Sequence, residues 1–296
     1  MKQIVIVGLG LIGGSLALAL RGFEGYQVTG VVRRQATADY ALAHGVGDRV
    51  TLDTRAALRQ ADLTILCINP KDIVRFLEEY REEFRPGSLV TDVCGIKGAV
   101  MEAAKVLPKD VDFIGSHPMA GTEFSGIEHA QREMFRGAHY IITPGRDSRP
   151  EHIALLERMA AYMGCKDVVS TTPEEHDALI AYTSQMMHII AVSVCDDEGL
   201  FDCQGFEGSS FRGCTRVADL DVDLWTQLFS MNAQALCTAL ERLEGNLHAY
   251  RQVIQAGDWE ALSGKLAYSA ARKRKMNRMV EARGAVGRDR NPEPSA

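Results

Sequence analysis

The sequence predicts an α/β N-terminal half, built as a doubly wound parallel sheet, followed by an all-helical C-terminal half. Three observations carry this. Short apolar, β-branched runs alternate with helix-period stretches through roughly the first 170 residues. A glycine-rich turn, Gly8-Leu9-Gly10-Leu11-Ile12-Gly13, joins the first of those runs to the helical apolar stretch Leu16–Leu20. From Thr172 to Arg278 the β-branched runs give way to helical periodicity almost throughout.

Gln3–Val7 reads as the first strand, and the turn after it has the spacing of a dinucleotide-binding fingerprint. Glycines there let backbone N–H groups at a helix start close around a pyrophosphate. Gly8, Gly10, Leu11, Ile12 and Gly13 are therefore candidate cofactor contacts. A strand before the turn and a helix after it mark residues 1–171 as a Rossmann-type domain. The second strand, Gln27–Val32, ends in Arg33-Arg34 instead of an acid. A carboxylate at that point holds the free ribose hydroxyl of NAD, whereas arginine suits the extra phosphate of NADP, so NADP is favoured over NAD. Leu63–Ile68 is apolar on both faces, as a central parallel strand should be. Pro70 is expected to stop it where a loop rises over the cofactor, which adds Pro70 to the cofactor contacts. Ser88–Val93, Phe113–Gly115 and Tyr140–Thr143 follow as strands, then a helix at Glu151–Met163 and an edge strand at Asp167–Ser170.

Thr172-Pro173-Glu174-Glu175 has the form of a helix start: an N-cap, proline at the first position and acids in the first turn. Leu236, Leu240, Leu243, Leu247, Tyr250 and Ile254 step by 4, 3, 4, 3 and 4 along one long helix. That seam suits packing within the domain or against a second copy, and a homodimer through residues 172–284 is expected. The polar tail, residues 285–296, is expected to be disordered.

The chain has 296 residues, a net charge of −6 and seven cysteines without CxxC spacing. The acidic balance argues against a nucleic-acid partner and a polybasic membrane anchor. The Arg272-Lys273-Arg274-Lys275 cluster reads as a solvated helix end. The cysteines fit reduced thiols, with no disulfide frame and no metal site. No apolar run reaches the roughly 18–20 residues of a membrane span. The early first strand leaves no room for a signal peptide, so a cytoplasmic location is expected.

The most distinctive stretch is Gly115-Ser116-His117-Pro118-Met119-Ala120-Gly121-Thr122-Glu123. It follows a strand, which places it at the carboxyl edge of the sheet, where open α/β folds bind ligands. An imidazole there suits a general base near neutral pH. Joined to Gly8–Gly14, Thr91-Asp92-Val93-Cys94-Gly95-Ile96-Lys97, Thr183-Ser184…His188, Phe211-Arg212-Gly213-Cys214-Thr215-Arg216-Val217-Ala218 and Trp225, it resembles the prephenate and arogenate dehydrogenases of tyrosine biosynthesis.

The resemblance implies oxidative decarboxylation of a cyclohexadienol to an aromatic ring, with hydride passing to the nicotinamide. Prephenate is the preferred substrate by this likeness, giving 4-hydroxyphenylpyruvate, and arogenate is the alternative. His117 would take the substrate hydroxyl proton. Arg216 would grip a substrate carboxylate through its planar fork. Ser184 and His188, four apart on one helix, would face the cleft, with His188 near the side-chain carboxylate. His188 also has the reading of a satisfied core histidine. Trp225 lines either the cleft or a subunit contact, and Thr122 and Glu123 would orient the substrate or gate its entry. One departure stands out. The family commonly places serine where this chain has Gly95, so either Cys94, a backbone N–H or a water does that hydroxyl's work, or the site is tuned differently. No fused chorismate mutase is expected before the glycine turn and no feedback domain after Arg278. Other two-domain dehydrogenases or imine reductases lack the His117 and Arg216 motifs, and a catalytically inactive cofactor-sensing regulator draws support only from Gly95.

Overall fold

The structure is a computed structural model that describes residues 1–122 and 124–288. Glu123 and residues 289–296 lie outside the described residues. Packing divides the chain into two compact units, Met1–Leu236 and Cys237–Ala296.

Strand β1 (Gln3–Val7) leads through the glycine turn into helix α1 (Leu11–Ala19). Then come β2 (Gln27–Val31), α2 (Gln35–Ala43), β3 (Arg49–Thr51), α3 (Thr54–Gln60), β4 (Leu63–Leu66) and α4 (Pro70–Tyr80). The sheet continues with β5 (Leu89–Asp92), α5 (Gly98–Ala103), β6 (Asp112–Pro118), β7 (His139–Pro144), α6 (Pro150–Tyr162) and β8 (Asp167–Ser170). The eight strands lie in the order β3-β2-β1-β4-β5-β6-β7-β8. The sheet is wound both ways from β1, as expected, but it is not wholly parallel: β7 runs antiparallel to β6, and β8 follows β7 in parallel. The cause is the connection, because residues 119–138 return the chain to the same edge without a crossover helix.

Alternation along β1 fills both faces. Ile4 and Ile6 pack with Leu16 of α1, with Leu20 at its C-cap and with Leu156 and Met159 of α6. Val5 and Val7 pack on the other face with Leu58 of α3, Ile73 and Leu77 of α4 and Val100 of α5. Each such side chain contributes about 1.5–3 kcal/mol on burial, so the sheet is a rigid platform for whatever rides on its edge.

The chain beyond Thr172 is helical: α7 (Pro173–Ile180), α8 (Met186–Cys195), α9 (Ser209–Thr215), α10 (Val222–Met231), α11 (Ala233–Gln255) and α12 (Trp259–Arg288). The Thr172 hydroxyl accepts the Glu175 N–H at 3.2 Å, which is the expected N-cap. One π-helical turn, Ala181–Gln185, joins α7 to α8 without a break. The continuous helix Pro173–Cys195 is by length and composition alone long and apolar enough to cross a membrane, a correction to the expectation that no run reaches that length. Its His176, Asp177 and Gln185 are buried and hydrogen-bonded to the rest of the N-terminal unit. At the other end α12 runs to Arg288, so the exposed Arg272-Lys273-Arg274-Lys275 cluster lies within the helix and not at its end, a correction to that expectation.

Candidate active site

The parallel strands β2, β1, β4, β5 and β6 finish at one edge of the sheet, and the winding reverses between β1 and β4. Val7 pairs with Leu66 and Leu66 with Asp92, so the chain leaves these strands at the same height. Such a switch point is where open α/β sheets bind ligands. Three strand spacings, about 14 Å, separate the exit of β1 from that of β6.

The glycine turn is shaped to receive a pyrophosphate. Gly8 has φ +92°, and a Cβ there would meet the Cys67 carbonyl oxygen at 2.5 Å. A Cβ at Gly13 would come within 1.9 Å of the Gly8 carbonyl oxygen, so only glycine lets the turn lie against the helix. Gly10 caps α1 without a side-chain hydrogen bond, no acid stands in the first turn, and nothing lies within 4 Å of its would-be Cβ. The space around Gly10 is thus open, and the start of a helix suits an anion. Leu11 and Ile12 open the helix and are half-buried. Arg33 and Arg34 follow β2 and are exposed, with Arg34 at the N-cap of α2. Pro70 is not in a loop: it is the first residue of α4, after Asn69 at the N-cap. Proline fits that position because its missing N–H would have no helical partner.

His117 is the sixth residue of β6, paired with Ile141 across the antiparallel ladder, and is half-buried. Its Nδ1 lies 3.0 Å from Nε2 of His176, whose own Nδ1 lies 2.8 Å from Oδ1 of Asp177. The two imidazoles meet edge to face, with planes 62° apart. Asp177 also accepts the backbone N–H groups of Lys97 and Gly98, each at 2.8 Å. Behind the strand, the fully buried Lys97 ammonium donates to Asp92 and to the Ser116 carbonyl. Burial pushes the His117 pKa well below the usual imidazole value, and the neighbouring His176 and Lys97 push it the same way. The ring is therefore neutral at pH 7. A Cβ added at Gly95 would stand 3.8 Å from His117 Nε2 and 3.7 Å from Leu228 of α10, so Gly95 opens a space between the base candidate and that helix.

Less than one turn of α10, from Leu228 to Trp225, links this point to the second group of candidates. Trp225 lies flat on His188, ring centroids 3.6 Å apart, and contacts Phe229 at 5.4 Å. His188 Nδ1 donates to the Ser184 carbonyl at 3.0 Å. Burial lowers the His188 pKa, the Ser184 hydrogen bond opposes this, and the nearby positive charge of Arg216 adds to the lowering. His188, Ser184, Trp225 and Arg216 are thus gathered, with Arg216 exposed at the end of α9. Thr122 is exposed, and its hydroxyl accepts the Phe124 N–H at 3.3 Å within its own turn. Glu123, the other candidate of that loop, is outside the described residues. A cavity of about 480 Å³ lined by Glu102, Lys109, Asp112, Arg149 and Glu174 opens at the opposite end of β6 and touches none of these candidates.

Reading the sequence missed His176, Asp177, Asn232 and Gln185. Asn232 donates to the Asp177 carbonyl at 2.9 Å and to Gln185 Oε1 at 2.8 Å, tying α7 to the start of α11. The only local signal was two polar residues at the inward face of a capped helix, and those resemble ordinary first-turn acids.

Comparison with known proteins agrees with the geometry. Residues 16–169 match the family model for the prephenate dehydrogenase nucleotide-binding domain, and residues 172–268 match that for the prephenate dehydrogenase dimerization domain. A cyclohexadienyl dehydrogenase of Zymomonas mobilis is 29% identical over 88% of this chain and 91% of its own length. The crystal structure of Synechocystis arogenate dehydrogenase covers 93% of this chain and 100% of its own at 30% identity and a TM-score of 0.80. Prephenate dehydrogenase from A. aeolicus, solved with hydroxyphenyl propionate and NAD+, covers 93% and 98% at 25% identity and a TM-score of 0.84. A sheet edge built for a dinucleotide, a neutral histidine beside it and both domain matches in sequence lead to one conclusion: this chain belongs to the prephenate dehydrogenase family.

Proposed function

We propose that this chain catalyses the oxidative decarboxylation of prephenate to 4-hydroxyphenylpyruvate with NADP+ as the preferred hydride acceptor. The observation that carries the reading is His117, a neutral, desolvated imidazole at the carboxyl end of β6, beside the cofactor edge. When bound, the nicotinamide supplies the hydride acceptor. The chain's residues do the rest. His117 takes the hydroxyl proton as the ring carbon gives up hydride, and loss of carbon dioxide leaves an aromatic ring. Arg216 holds a substrate carboxylate, since its fork makes two charge-assisted hydrogen bonds. His188 binds the side-chain end of the substrate, backed by Trp225 and set by Ser184, while Thr122 and Glu123 border the entrance.

Gly8, Gly10, Leu11, Ile12 and Gly13 hold the pyrophosphate against the start of α1. Pro70 borders the nicotinamide half from the start of α4. Arg33 and Arg34 meet the 2′-phosphate, and the absence of a carboxylate at the end of β2 supports NADP over NAD. Residues 1–171 are the cofactor domain and 172–284 the substrate and dimer domain of a cytoplasmic homodimer; the dimerization-domain match supports the dimer.

The test is a steady-state assay of prephenate and arogenate with NAD+ and NADP+, followed by absorbance at about 340 nm. The expected result is highest kcat/KM with prephenate and NADP+. No reduction of either cofactor with either substrate would overturn the reading, and higher kcat/KM with arogenate would replace prephenate in it.

A further inference from the structure

We propose that His176 and Asp177 fix the tautomer of His117, so that its Nε2 lone pair, and not an N–H, faces the cleft. The inference rests on the reading of His117 as the base, and it makes His176 and Asp177 positioning residues.

The argument runs inward from Asp177. Its two carboxylate oxygens accept backbone N–H groups from Lys97 and Gly98, one on each oxygen. An ionised carboxylate is an acceptor only. His176 Nδ1, 2.8 Å from Asp177 Oδ1, must therefore be the donor. In a neutral imidazole the second nitrogen is then an acceptor. That nitrogen, Nε2 of His176, lies 3.0 Å from Nδ1 of His117. His117 must accordingly donate from Nδ1, which leaves the lone pair on Nε2. Nε2 lies on the Gly95 side of the ring, 3.8 Å from where a Cβ would stand.

A free imidazole side chain prefers the opposite arrangement, with its proton on Nε2. In that state His117 would point a donor at the substrate hydroxyl and could not accept its proton. The relay removes the wrong tautomer before substrate arrives. When Nε2 takes the hydroxyl proton, Nδ1–H still donates to His176, and the Asp177 carboxylate lies at the far end to offset the new positive charge. No proton needs to pass along the relay. His176 is 1% exposed, so water cannot replace its acceptor. Asn232 holds the Asp177 carbonyl from the other side, which fixes the register of the helix that carries the pair.

The experiment reads the tautomer directly and then through turnover. The full chain, labelled with 15N-histidine, is expected to show His117 protonated on Nδ1 and unprotonated on Nε2 near neutral pH. His176→Leu fills the buried volume without an acceptor, whereas His176→Gln places an amide oxygen near the lost Nε2. His176→Leu should lower kcat about 10- to 100-fold with both KM values nearly unchanged, and His176→Gln should recover most of the loss. A wild-type His117 carrying its proton on Nε2 would overturn the proposal, as would equal kcat in the two variants. His117→Asn separates this from the underlying reading: if that variant kept full turnover, His117 would not be the base, whatever tautomer the spectrum showed.

Discussion

His188 and Trp225 lie face to face with ring centroids 3.6 Å apart and planes 29° apart. The stack pins an imidazole that the Ser184 carbonyl already holds by Nδ1, so His188 presents Nε2 in one direction only. Contacts of this kind contribute about 0.5–1.5 kcal/mol beyond their buried area. Trp225→Leu should raise the substrate KM about 3- to 10-fold with a smaller change in kcat, measured by steady-state kinetics. An unchanged KM would leave the stack as core packing only.

Gly95 borders His117, and its surroundings set what a side chain there would meet. The nearest atoms to a Cβ there are 3.7–3.8 Å away, which is ordinary contact, and the backbone is outside the left-handed region. Gly95→Ser should fold with a Tm within a few degrees of the parent and put a hydroxyl within reach of His117 Nε2. Turnover is expected to hold or rise. Gly95→Leu, which extends past the hydroxyl position toward the cleft, should lower kcat/KM by about tenfold or more. If serine damaged turnover as severely as leucine, the space beside His117 would not be part of the substrate site.

Much of this was legible in the sequence, and what was not has identifiable causes. The glycine turn and the capped helix at Thr172 follow from local patterns of a few residues, whereas His117, read as following a strand that ends at Gly115, stands inside β6 and pairs with Ile141. Strand β3 is only Arg49–Thr51, three residues with one exposed and two half-buried, too short to show a period. Pro70 was misread as a strand breaker below a loop, although Asn69-Pro70 carries the same cap-then-proline signal as Thr172-Pro173. The His117–His176 contact spans 59 residues and joins β6 to α7. Nothing local announces it, because a tertiary hydrogen bond leaves no period in the chain.

The lowered pKa of His117 has a consequence for pH dependence. Its causes are burial first, then the neighbouring His176 and Lys97, and all three disfavour the protonated form. A base is active when unprotonated, so the active fraction is complete at neutral pH and stays so as pH falls through the ordinary imidazole value of about 6.5. Activity should be lost only at lower pH, as protons begin to bind the folded-state ring. The acid limb of kcat/KM against pH should therefore lie well below about 6.5, and a limb at or above that value would contradict the environment described.

Arg33 and Arg34 follow β2 and are exposed, at the N-terminal end of α2. A charge-assisted hydrogen bond contributes about 1.5–3 kcal/mol, so losing one or both contacts to a phosphate should be large and selective. The Arg33→Ser, Arg34→Ser pair should raise the KM for NADP+ about 10- to 100-fold and that for NAD+ less than about threefold. Equal effects on the two cofactors would make the arginines bystanders.

The apolar seam of α11 offers the last test. Leu247 and Ile254 are seven residues apart, hence on one face, and are 58% and 50% exposed in the single chain. Exposed side chains of this size gain about 1.5–3 kcal/mol each on burial, and a symmetric pair buries both sets at once. A glutamate at an exposed position leaves a chain's own stability within about 0.5 kcal/mol, whereas a buried glutamate opposite its own symmetry mate is strongly unfavourable. Leu247→Glu with Ile254→Glu should therefore convert a dimer to monomer in light scattering while circular dichroism keeps its helical signal. A variant that stayed dimeric would move the interface to another face of the helical domain.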